Sequence, residues 1–152
     1  RDSMCAVCRF VGLTVEQCAD AALNFKGAGR RFEVYGECNG ALVVDDYAHH
    51  PTEIAATLKA AQHYPHNEIW CVFQPHTYSR TRALLHEFAE ALSLADNVVL
   101  ADIYAAREAD PGDISSKTLQ EEMKKLGKDA YYFPDFEWLP VPYHIPYSLA
   151  RQ

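Results

Sequence analysis

Apolar positions along the chain alternate between a helical period and short strand-like runs. Thr14 to Phe25 (TVEQCADAALNF) reads as a helix, with Thr14 as its cap and Gln17 completing a capping box three residues later. Lys26-Gly27-Ala28-Gly29 breaks it. Phe32 to Cys38 alternates apolar and polar, Asn39-Gly40 is a strong hairpin-turn dipeptide, and Ala41 to Asp46 resumes as a strand, so this pair is predicted to be a β-hairpin. Pro51-Thr52-Glu53 opens a helix running to about His63. Ile69 to Phe73 is a continuous apolar run, the pattern of a strand covered on both faces. Ser79 to Leu94 gives the clearest helical period, through Leu84, Leu85, Phe88, Ala89 and Leu92. Val98 to Ile103 reads as another buried strand, Ser115 or Ser116 as the cap of a helix to about Leu126, and Tyr131-Tyr132-Phe133 as a last strand. Strands alternating with helices imply an α/β fold, Rossmann-like and three-layered, with a mostly parallel sheet and an N-terminal β-hairpin.

The 152 residues suffice for one domain with a real core and are too few for two ordinary ones. Apolar residues make up 49% and charged residues 23%, the balance of a globular protein. No apolar run approaches the roughly 20 residues that span a bilayer, and the first residues carry no secretory-type stretch. A formal net charge of −7 argues against nucleic acid or an anionic membrane as the main partner. The five cysteines, Cys5, Cys8, Cys18, Cys38 and Cys71, read as reduced core thiols of a cytoplasmic protein; Cys5 and Cys8 have CxxC spacing, but no second pair completes a zinc site. Residues 1–13 look like the tail of a preceding domain, and residues 138–152, with three prolines, are expected to lack regular structure.

In such sheets, ligands bind beyond the carboxyl ends of the strands, near helix N-termini. Three strand ends carry polar clusters the fold does not require: Asp45-Asp46-Tyr47-Ala48-His49-His50-Pro51, Gln74-Pro75-His76-Thr77-Tyr78-Ser79-Arg80-Thr81-Arg82, and Asp102-Ile103-Tyr104-Ala105-Ala106-Arg107-Glu108. All three are expected to converge on one edge. Asp46 is placed either to cap the next helix or to take two ribose hydroxyls. Adjacent His49 and His50 point apart, which disfavours a protein-only metal shell; one of them beside a Mg²⁺–phosphate is easier to build. Arg80 and Arg82 sit at a helix N-terminus, where cations are unfavourable by about 0.3–1 kcal/mol without an anion, so an anionic ligand is implied. There is no GxxxxGK[ST] phosphate loop and no Ser-His-Asp order.

The segments GAGRRFEVYGECNGALVVDDYAHHPTEIAATLKAA, FQPHTYSRTRALLHEFAEAL and LADIYAAREADPGDIS closely resemble the C-terminal domain of Mur ligases, over about Thr14 to Phe133. The resemblance implies residues 1–25 as the end of a central ATPase domain or a linker helix, 26–137 as the C-terminal domain, and 138–152 as an irregular or truncated tail, unlike the family's Gly-rich continuation. It also implies ATP-dependent amide-bond formation in peptidoglycan synthesis through an acyl phosphate, with ATP and Mg²⁺ as cofactors. Within the family the motifs look most like the members that join L-alanine to UDP-N-acetylmuramate. A tripeptide-recycling ligase, or a non-catalytic nucleotide-binding domain of the same fold, is the alternative. By position, Arg31 and Asp46 would bind the nucleotide, His49 would be catalytic, and Tyr47, His76 and Arg80 would bind substrate, the last two through the alanine carboxylate. Thr77 stands where some members have a second arginine. The phosphate-loop lysine and most magnesium ligands belong to the central domain, so the chain alone is expected to be inactive.

Overall fold

The computed structural model describes residues 10–24 and 29–134. Helix α1 (Val15–Asn24) begins as its sequence predicts: the Thr14 N–H donates to Gln17 Oε1 at 2.9 Å and the Gln17 N–H to Thr14 Oγ1 at 3.2 Å. Strands β1 (Glu33–Cys38) and β2 (Ala41–Asp45) pair antiparallel as the expected hairpin. Asn39 (φ 48°) and Gly40 (φ 85°) both lie in the left-handed region, the geometry for which Asn-Gly is suited. A register shift between Val34 and Gly36 bulges β1.

Helix α2 (Pro51–Ala61) carries Pro in its first turn. Strand β3 (Trp70–Phe73), helices α3 (Tyr78–Ala83) and α4 (Leu85–Leu92), strand β4 (Asn97–Leu100), helix α5 (Ser116–Lys125) and strand β5 (Tyr131–Tyr132) follow. Among the described residues, β3-β4-β5 form a three-stranded parallel sheet and the hairpin forms a separate two-stranded one. Helix α4 packs between α2 and α5. Ile54 and Leu58 from α2, Phe88 and Leu92 from α4, Leu119 and Met123 from α5, and Phe73, Val98 and Leu100 from the strands make one core. Burying each such large side chain contributes about 1.5–3 kcal/mol.

Two sequence expectations need correction. The period from Ser79 to Leu94 is not one helix: Leu84 (φ −123°, ψ 29°) leaves the helical region between α3 and α4. No Pro or Gly marks the break. The buried Thr81 hydroxyl donates back to the Thr77 carbonyl at 2.7 Å, a bond that bends helices. Nor do the described residues cover β3 on both faces. Register places Cys71 and Phe73 beside Val98 and Leu100 on the core side, which leaves Trp70 and Val72 on the other side with Val99 and Tyr131. There Trp70 is 49% exposed and Tyr131 52%. The two rings stack at 5.9 Å, and Val99 beside them stays buried. An unbroken apolar run meant a wide, stackable face here, not a second helical layer among the described residues.

Among the described residues Cys38 and Cys71 form no disulfide, and burial pushes the Cys71 thiol up to about 12. Among the described residues no helix is long and apolar enough to cross a membrane. Cys5, Cys8 and the expected tail over 138–152 lie outside the described residues.

Candidate functional site

Parallel pairing continues past the ends of β3 and β4 and brings their loops together. The Ala101 N–H donates to the Phe73 carbonyl at 3.0 Å and the Tyr104 N–H to the Pro75 carbonyl at 2.8 Å. His76 and Tyr104 form a bridge and stack at 5.4 Å. Gln74 Nε2 reaches the Asp102 carbonyl at 3.1 Å, and the buried Ser116 hydroxyl ties the start of α5 to the Ala101 carbonyl at 2.5 Å. Tyr132 donates to Asp102 at 2.6 Å, a bond that pushes its phenol up to about 12.

Glu108, a residue to which sequence reasoning gave no role, joins the two loops. Its carboxylate accepts from the Thr77 hydroxyl at 2.5 Å, the Ser79 backbone N–H at 2.8 Å and the Ser79 hydroxyl. The Ser79 and Thr77 bonds hold it well below the usual carboxylate range, at about 2. No side chain of its own caps α3 at Thr77; Glu108 caps that end from 31 residues away. Arg82 pairs with Asp113. Two of the anions that the arginine-bearing helix start implied are thus residues of this chain. Arg80 is different. It is half-buried, its Nη1 donates to the His76 carbonyl at 2.7 Å, and among the described residues it has no acidic partner. Arg80 and His76 therefore remain together and open to an external carboxylate.

The loop after β2 forms a second group. Asp46 is not the cap of α2: His50 is, its Nδ1 accepting from the Thr52 N–H at 3.3 Å. A carboxylate four positions before the cap residue is too early to cap the helix. Both Asp46 oxygens instead accept backbone amides, Oδ2 from Phe32 at 2.7 Å and Oδ1 from Ala48 at 2.8 Å. Opposite them, the Tyr47 N–H donates to the Arg30 carbonyl at 2.8 Å and the Arg30 N–H to Glu33 Oε2 at 2.7 Å. The Arg30 guanidinium lies 3.4 Å from Asp45 and 5.0 Å over the Tyr47 ring. Arg30 (φ 58°) and Phe32 (φ 49°) are both left-handed, at a cost of order 1–3 kcal/mol each. Between them, the Arg31 side chain is 53% exposed and, among the described residues, pairs with Glu53 alone, at 3.9 Å.

His49 completes this group. Its Nδ1 lies 3.0 Å from the Tyr47 carbonyl, which can only accept, so Nδ1 carries the hydrogen and Nε2 is the proton acceptor. Its backbone N–H donates to Glu53 at 3.1 Å, the main reason that Glu53 titrates below the usual carboxylate range. The Tyr47 and His49 rings meet edge to face at 5.2 Å. Among the described residues, hydrogen bonds and ion pairs join the second and third polar loops to each other, and the first stands as its own group.

An exposed Arg31 fits a nucleotide phosphate. Among the described residues, no three His, Cys, Asp or Glu side chains gather to hold a metal ion. Mg²⁺ at this site would thus take most of its oxygens from phosphate and water.

A model of the Mur ligase glutamate-ligase domain matches residues 30–140. The UDP-N-acetylmuramate–L-alanine ligase of Lachnoclostridium phytofermentans is 61% identical over 126 residues, covering 83% of this chain and 27% of that protein. The ligase of the same name from Lachnospira eligens is 58% identical over 132 residues, covering 87% and 29%. The crystal structure of the UDP-N-acetylmuramate–alanine ligase of Thermotoga maritima matches with a TM-score of 0.63 and 34% identity, over 84% of this chain and 26% of that one. The chain spans little more than a quarter of the length of each of these relatives. With its parallel sheet, leading hairpin and polar strand ends, this chain belongs to the Mur ligase family, as its C-terminal, glutamate-ligase type of domain.

Proposed function

We propose that this chain is the C-terminal part of a cytoplasmic, ATP-dependent ligase that joins L-alanine to UDP-N-acetylmuramate in peptidoglycan synthesis. The observation that carries this reading is the 61% identity, over 126 residues, to a protein named for that reaction. In the proposed reaction the muramoyl carboxylate takes the γ-phosphoryl group of ATP and ADP leaves, the alanine amine attacks the acyl phosphate and sheds a proton, and inorganic phosphate leaves with an amide bond formed. The protein's part is positioning and charge neutralisation.

Arg80 and His76 hold the alanine carboxylate: the guanidinium is partly desolvated, pinned by the His76 carbonyl and unclaimed by any acid among the described residues. Tyr47 lines the approach, exposed beside His49. His49 Nε2 is the acceptor for the proton that the attacking amine sheds, and the Tyr47 carbonyl fixes the ring tautomer. Arg31 and Asp46 form the nucleotide side. Mg²⁺ bound with ATP would offset phosphate charge.

Steady-state kinetics of the full-length protein test this. Arg80→Ala should raise the KM for L-alanine about tenfold to a hundredfold, the worth of a lost charge-assisted hydrogen bond, and leave the KM for ATP nearly unchanged. An unaltered alanine KM would remove Arg80 from the role. Offering a free tripeptide in place of alanine tests which amine substrate is joined, with turnover expected for alanine alone.

A further inference from the structure

The segment that carries Arg80 closes on itself and is tethered from outside by one side chain. Arg80 Nη1 donates to the His76 carbonyl at 2.7 Å, and the Thr81 N–H and hydroxyl both donate to the Thr77 carbonyl, at 2.9 Å and 2.7 Å. Those bonds set the segment's shape, not its direction relative to the sheet. Among the described residues, every hydrogen bond from residues 77–80 to another loop ends on Glu108. The loop after β4 aims this carboxylate: it doubles back through Ala106, left-handed at φ 53°, and the Glu108 N–H closes on the Ala105 carbonyl at 2.9 Å. The same loop lays the Tyr104 ring against His76 at 5.4 Å. Glu108 directs its oxygens to Thr77 and Ser79, so the Arg80 guanidinium stays without an acidic partner among the described residues.

We propose that Glu108 is a positioning residue for the amino-acid carboxylate site: by holding Thr77 and Ser79 against the loop after β4, it fixes the direction in which Arg80 meets an incoming carboxylate. The proposal rests on the alanine-carboxylate reading of Arg80 given above. A substrate clamp displaced by about 1 Å loses much of its effect, so the strut behind the clamp matters as well as the clamp. An amide can replace the carboxylate in this role. One oxygen still accepts the Ser79 N–H, and the NH2 donates to the Thr77 and Ser79 hydroxyl oxygens, which turn to accept. The strut therefore survives in Glu108→Gln and is lost in Glu108→Ala.

The test is steady-state kinetics of the full-length protein with each substrate varied in turn. Glu108→Ala should raise the KM for L-alanine about tenfold, with kcat at saturating alanine and the KM values for ATP and UDP-N-acetylmuramate within about threefold of wild type. Glu108→Gln should stay within about threefold of wild type on every parameter. On top of Arg80→Ala, Glu108→Ala should add less than about twofold, since it acts through the side chain already removed. If Glu108→Ala does not fold, Thr77→Val with Ser79→Ala removes both hydroxyl donors and should raise the alanine KM alone. A Gln variant as impaired as the Ala variant would mean that the charge itself acts on substrate, and would overturn the proposal. So would an unchanged alanine KM in Glu108→Ala, factors that multiply with Arg80→Ala, or a rise shared by all three KM values. Arg80→Ala with unchanged alanine KM would instead sink the carboxylate reading itself.

Discussion

Three donors converge on the carboxylate of Glu108, and their effect is readable in its titration. A carboxyl held at about 2 in the folded chain, against about 4.5 when unconstrained, contributes stability that is complete above 4.5 and is lost as pH falls toward 2. Urea midpoints of the 152-residue chain should therefore drop across that window, and Glu108→Gln should lower the midpoint at neutral pH and flatten part of the acid drop. An identical acid profile for wild type and Glu108→Gln would show that the three bonds carry no net stability. The same residue narrows the inference drawn from the arginines. Charge at a helix start did demand an anion, but spacing along the chain cannot tell an acid 29 residues away from one on a substrate. Arg82 found Asp113 and the helix start found Glu108, so the argument survives for Arg80 alone.

Elements whose boundaries depend on neighbours within three or four residues were readable from sequence. Thr14 with Gln17, Ser115 at the start of α5, and Asn39-Gly40 all form as their types dictate. Gly40 supplies the φ of 85° that a Cβ resists, so Gly40→Ala should cost about 1–2 kcal/mol in chemical denaturation with little change in nucleotide or alanine binding. The failure at Leu84 has the opposite character. Its helical period is real, because Leu84 and Phe88 both face the core, but Leu84 itself leaves the helical region and splits the run into two helices. Phe88, one turn after Leu84, is fully buried and tilted against Phe73 at 5.6 Å. Phe88→Ala should cost about 3–5 kcal/mol, read as a shift of the same denaturation midpoint.

At the scale of the whole molecule, order and direction of the strands followed from the alternation of periods, and the site followed only in part. The sequence placed polar residues at three strand ends; which loops would bond to which depended on how far parallel pairing ran on, and here it ran on to His76 and Tyr104. The candidate carboxylate site is thereby prebuilt, whereas the chain has no GxxxxGK[ST] loop to hold a triphosphate. The 152-residue chain alone should show no alanine-dependent release of phosphate from ATP, and a coupled phosphate assay checks that directly. That the described residues cover the sheet on one side has its own use. Trp70 is one of two tryptophans, and it rests against Tyr131 with half its surface in water. Once Trp138→Phe silences the other, the chain carries a single indole, whose emission, excited selectively at the red edge, reads the wetness of that side of the sheet. A slide of its emission toward the blue marks the moment at which water leaves.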